Sequence, residues 1–360
     1  MHNRNATCLG ESAALLMLLA CGGDLARYPT GSSAVSAPRG TRLSESPWSE
    51  PVWLGPVVNS PARDLPGSLS SDGLTLYLQS ARSGGFGGND IWISRRDCPT
   101  CAWKAPENLG DVINTASFDG SPALSRDGCL LFFASEGHGA RASDIFVSRR
   151  PDTGDDLGWE RPVNLGPDVN SDGHEGGAKL LQLGDGNSEL YYNSDRRGFG
   201  NEIYRAPVTR EGIARGPGLL VEELNDPNVQ DQGATISRNG RELIFWSGGQ
   251  SRTRPGSVGL ADLWVSTRRS IRDPWSAPEN LGAPVNSPFA DLEPVLSTDG
   301  RTLFFSSGSA RRPGLGMTDI WMTTRAPNAS EPGEQTEGDD GGEGGDKVGS
   351  RAHRRCPDMR

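Results

Sequence analysis

Five acids recur at one place in the chain. Asp64, Asp119, Asp231 and Asp291 each lie eight residues before the Asp or Asn of an Asp-Gly or Asn-Gly pair (Asp72, Asp127, Asn239 and Asp299), and Glu175 takes the matching place in a less regular unit. Carboxylates gathered at one mouth repel unless something offsets them. Three chemistries answer that: bonds from backbone amides that lock neighbouring units together, a bound cation such as calcium or a positively charged ligand group, and proton exchange by a pair of acids. The third is the chemistry of glycoside hydrolysis. No other catalytic constellation stands beside them, since the chain has no G-x-S-x-G elbow, Ser-x-x-Lys pair or H-E-x-x-H helix. "DCPTC" holds Cys98 and Cys101 at half of a zinc spacing, but no second pair matches it and the four histidines are scattered. A small loop disulfide or two free thiols fits that pair, and no metal site or cofactor beyond the cation is expected. His138 and His174 fall in variable loops, where exposure is the default.

The elements that must position these acids are repeats. "NDIWISRR" at Asp90 returns at Asp144, Glu202, Asp262 and Asp319, in steps of 54 (144−90), 58 (202−144), 60 (262−202) and 57 (319−262). Three further pieces accompany it in fixed order. A small-residue strand such as "GSPALS" leads into an S-x-D-G turn. An alternating apolar strand ending in serine follows ("LYLQS", "LFFAS", "LYYNS", "LIFWS", "LFFSS"), and the fourth piece is a Trp segment, "WSEPVWLGPVVNS" and its copies. Asp-Gly and Asn-Gly accept the positive φ angles of a tight hairpin. Strand-rich repeats of this period indicate a β-propeller. The chain starts on the Trp segment at Trp48 and has none after Asp319, so the first piece is free to complete the last sheet and remove its open edge. The expected fold is all-β: a five-bladed propeller of four-stranded antiparallel blades over residues 47–326, with the acids opening the innermost strands at one end of the channel.

"SSDGLTLYLQSARSGGFGGNDIWIS" resembles the WD-like repeat of TolB and its relatives, which carry the same turn, apolar strand and D-I strand. The resemblance covers roughly residues 46–326. It implies an envelope protein whose propeller contacts partners, because TolB relatives do so.

The two ends read differently. Residues 1–20 resemble a lipoprotein signal peptide, with "LLAC" placing Cys21 for lipidation and residues 21–46 as a flexible tether. Gly22 carries no retention acid, so the resemblance to other lipoproteins points to the outer membrane, on its periplasmic or surface face. Residues 327–360 are Gly- and acid-rich and are expected to be disordered. The net charge of −10 and the absence of a basic cluster exclude a nucleic-acid surface. The pairs Arg95-Arg96, Arg149-Arg150 and Arg268-Arg269 read as solvated strand ends. These features together predict a monomeric, non-catalytic envelope lipoprotein, more scaffold than enzyme, that binds an envelope protein or a glycan. The alternative is a secreted glycosidase using two of the five acids.

Overall fold

A computed structural model describes residues 47–326, apart from 184, 185, 199, 250, 251, 309, 310 and 312, together with residues 354–357. The leader, Cys21 and the tether all fall outside the described residues.

The repeats fold as five four-stranded antiparallel sheets, and no helix occurs among the described residues. β1 (Val52–Trp53) comes first in the chain. Blade one is β2 (Asp64–Leu69), β3 (Thr75–Ser80), β4 (Asp90–Arg95) and β5 (Glu107–Asn108). Blade two is β6 (Asp119–Leu124), β7 (Leu130–Ser135), β8 (Asp144–Arg149) and β9 (Val163–Asn164). Blade three is β10 (Glu175–Gln182), β11 (Asn187–Ser194), β12 (Glu202–Thr209) and β13 (Leu219–Leu220). Blade four is β14 (Gln230–Ile236), β15 (Glu242–Gly248), β16 (Ala261–Thr267) and β17 (Glu279–Asn280). Blade five is β18 (Asp291–Leu296), β19 (Thr302–Gly308) and β20 (Thr318–Thr324), completed by β1 through the pairs Val52↔Met322 and Trp53↔Trp321. The ring therefore closes on its N-terminal strand, as the order of the pieces requires.

Local chemistry explains each corner. In the S-x-D-G turns Gly73, Gly128, Gly240 and Gly300 take φ of 72°, 79°, 67° and 70°, and each donates its amide to the turn serine's carbonyl. The strands that follow alternate between blade interfaces. Ile91 and Ile93 pack with Tyr77, Leu131 and Phe133 toward blade two, while Trp92 packs with Phe304 and Ile320 toward blade five. Fully buried rings such as Tyr77 and Phe304 each contribute on the order of 1.5–3 kcal/mol.

The glycine run before β4 ends where the acid begins: Asp90 accepts a bond from the Phe86 amide at 2.6 Å and from Asn108 at 2.9 Å. Asn114 then clips β4 by taking the Ile91 amide at 2.8 Å and returning a bond to its carbonyl at 2.9 Å. Asn59, Asn170, Asn225 and Asn286 make the same clip on Ile320, Ile145, Ile203 and Leu263. That is the work of the second asparagine in "NLGxxVNS".

Two expectations need correction. The arginine pairs are not wholly solvated ends: Arg269 is exposed, but Arg150 and Arg268 are only 5% and 8% exposed. With Arg96 they lie over Trp159, Trp275 and Trp103 at 4.7, 4.1 and 4.4 Å, because a guanidinium on an indole face shields the Trp segment's ring. Nor is the whole tail without structure. Cys356 is disulfide-bonded to Cys129, and Arg354 and Cys356 bond the backbone around Pro151–Thr153. Cys98 and Cys101 form the small loop disulfide, the first of the two alternatives open for them.

Candidate active site

The inner strands β2, β6, β10 and β18 begin with Asp64, Asp119, Glu175 and Asp291, and Asp231 is the second residue of β14. Each carboxylate is 0–1% exposed, and both oxygens of every one are engaged. Asp64 takes the amide and hydroxyl of Ser60, the hydroxyl of Ser80 at 2.6 Å and the Arg82 guanidinium at 2.6 Å. Asp119 repeats this with Thr115 and Ser135, Glu175 with Ser171 and Ser194, and Asp291 with Ser287 and Ser307. Asp231 takes the Asp226 amide at 2.7 Å and Arg254 at 2.9 Å. The amides belong to the linker entering the same blade and not to the following blade, because the linker folds back over the strand's first residue. Burial raises the carboxyls of Asp119, Asp231 and Asp291 above the usual range, while their hydroxyl, amide and arginine donors pull them down. Among the described residues no group of three or more His, Cys, Asp or Glu side chains is set to hold a metal ion.

A recurring cation completes each cage. Arg82, Arg196, Arg254 and Arg311 bond the acid and also a linker carbonyl: Val58, Val169, Leu224 or Val285. In blade two His138 fills the place, with Nε2 2.9 Å from the Ile113 carbonyl oxygen and its ring against Phe133 and Phe146. His138 is therefore a half-buried linker clamp, contrary to the expectation of an exposed loop histidine, because the equivalent cation is missing from its blade.

Deeper in the channel lies a carboxyl that the sequence reading passed over. Every inner strand carries a bulge near its third residue. Glycines occupy it in blades three and four, Gly177 at φ 58° and Gly233 at φ 64°, but blade two has Ser121 at φ 51° and blade five has Glu293 at φ 50°. A side chain in that region costs on the order of 1–3 kcal/mol and marks functional sites more often than chance. Trp246 donates from Nε1 to Glu293 Oε1 at 3.2 Å across the boundary between blades four and five. Lys179 crosses from blade three to donate to the Gly67 carbonyl of blade one at 2.6 Å. Neither Lys179 nor Arg63 lies within 4.0 Å of a carboxylate oxygen among the described residues, though both act on Glu293 at longer range. Burial pushes the Glu293 carboxyl up, against the pull of Lys179, Trp246 and Arg63. The same desolvation brings the Lys179 ammonium down to about 8 and lowers Arg63. All three are half-buried. A carboxyl whose pKa is raised by burial is suited to giving a proton to a leaving oxygen.

A five-bladed propeller with a charged lumen is the class that fold and site define. No family model and no curated protein matches the sequence. Solved structures do match its fold. The catalytic domain of the Coprinopsis cinerea GH62 α-L-arabinofuranosidase is 13% identical, covering 79% of this chain and 99% of that one, with a TM-score of 0.52. The arabinanase Arb43A of Bacillus subtilis is also 13% identical, covering 75% and 96%, at 0.51. TolB of Acinetobacter baumannii is 15% identical over 75% of this chain and 56% of that one, at 0.44, and is a distant neighbour. At these identities the likeness establishes the fold. Against the expectation of a non-catalytic module, more scaffold than enzyme, the matched propellers are mostly titled as glycoside hydrolases.

Proposed function

We propose that this chain is a glycoside hydrolase that works in the lumen of its propeller, with Glu293 as the proton donor. The observation that carries the reading is Glu293 itself: a lumen carboxyl raised by burial, at a bulge where two other blades use glycine. Hydrolysis needs a proton-donating carboxyl whose pKa is raised, and burial raises this one. The five mouth carboxylates do not serve, because their oxygens are already bonded by the chain's own donors. The alternative reading therefore stands with a different acid. Titles of the fold's neighbours suggest arabinose-containing glycans as the substrate class. The TolB-like repeats and a lipid on Cys21 fit an enzyme held at the cell envelope, at the outer membrane.

The test is incubation of the full chain with arabinan, arabinoxylan and a nitrophenyl arabinofuranoside, following sugar release. The proposal expects turnover on at least one of them, and a loss of roughly 10²–10⁴-fold in kcat for Glu293→Gln. No release from any substrate, or full activity in the variant, would overturn it.

A further inference from the structure

The other mouth of the channel, formed by the S-x-D-G turns, carries a separate arrangement. A cavity of about 110 Å³ opens there, and Lys179, Arg126 and Arg238 are among its lining side chains while no Asp or Glu is. This is unexpected in a chain of net charge −10. Arg126 and Arg238 occupy the second position of their turns in blades two and four, where blades one and five carry Ser71 and Thr298. Both are exposed, and among the described residues neither they nor Lys179 lies within 4.0 Å of a carboxylate oxygen.

The turn aspartates do not neutralise them. Asp72, Asp127 and Asp299 each fold onto their own turn, accepting from Ser70, Ser125 and Ser297 and from the amides of Leu74, Cys129 and Arg301. At the cavity's inner end Lys179 gives one proton to the Gly67 carbonyl oxygen and has two others to donate. We infer that this mouth is a binding site for a small oxyanion, a carboxylate or a phosphate, held by Lys179 from within and by Arg126 and Arg238 at the rim. Size agrees: an apolar cavity of roughly 150 Å³ takes benzene, so 110 Å³ takes an oxyanion group and leaves any larger body outside. Burial depresses the Lys179 ammonium, and an anion in the cavity would offset that desolvation. The site shares Lys179 with the surroundings of Glu293 but does not rest on the hydrolase reading, because Glu293 is not in its lining.

Calorimetric titration of the full chain with inorganic phosphate, galacturonate and neutral galactose tests it. We expect saturable binding of at least one anion, none of galactose, and an affinity that falls as salt rises. Preference for galacturonate would identify an acidic glycan end as the source, and preference for phosphate a phosphoryl ligand. The double variant Arg126→Ser/Arg238→Ser changes exposed turn residues and should weaken binding at least tenfold with the melting temperature unchanged, and Lys179→Met alone should weaken binding by at least as much. The proposal fails if neither anion binds, or if binding is unaffected in both variants.

Discussion

Arg254 Nη2 lies 2.9 Å from Asp231 Oδ1 and, from the same nitrogen, 2.7 Å from the Leu224 carbonyl oxygen. One guanidinium thus ties an inner strand to the linker that feeds it, and its plane also rests over Trp264 at 5.4 Å. Four blades use an arginine in this way, and in blade two His138 holds only the linker carbonyl of Ile113.

Asp231→Asn should therefore leave Arg254 without its counter-charge in a site where the acid is fully buried. Breaking such a pair costs about 3–5 kcal/mol. Chemical denaturation should show a loss in that range, partly recovered in the double variant Asp231→Asn/Arg254→Met. A change below about 1 kcal/mol would mean the cage is not structural.

Glu293→Gly should stabilise the fold while abolishing turnover. Relief of the positive φ returns about 1–3 kcal/mol, and the added freedom of glycine in the unfolded chain takes back about 0.4–1. A net gain near 1 kcal/mol in denaturant titrations, with sugar release lost, is the expected pairing. A clear loss of stability would show that the bulge is not strained.

Lys179→Met should raise the melting temperature at pH 7, with an advantage that shrinks in alkali. The ammonium's folded pKa is about 8, below the usual lysine value of 10.5, so between those values the unfolded chain binds the extra proton. The stability of the unmodified chain must then rise with pH across that window, and the variant's must not. Parallel slopes from pH 8 to 10.5 would refute the burial of this charge.

The blades were legible because their signals repeat at fixed spacing: S-x-D-G turns, serine-ended strands and D-I strands all recur in register. The mouth acids were legible for the same reason, each eight or nearly eight residues from its turn. Their partners were not. From the strand-ending serines Ser80, Ser135, Ser194, Ser247 and Ser307, the linker-clamping side chain arrives after 2, 3, 2, 7 and 4 residues, at Arg82, His138, Arg196, Arg254 and Arg311. Loops of unequal length bring these groups to one place in space, and no spacing rule finds them. Glu293 was hidden differently. It stands alone where other blades have glycine, serine or proline, and its position in the lumen follows from a bulge that strand alternation does not reveal.

The most direct measurement is the pH dependence of kcat/KM for sugar release by the full chain beside Glu293→Gln, on whichever arabinose-containing substrate is turned over fastest. We predict an alkaline limb in the unmodified enzyme, set above the ordinary glutamate range by burial of the donor, with that limb lost and the rate reduced at least 100-fold in the variant. An unchanged profile in the variant, or no sugar released by either protein, would contradict catalysis by Glu293 in the lumen.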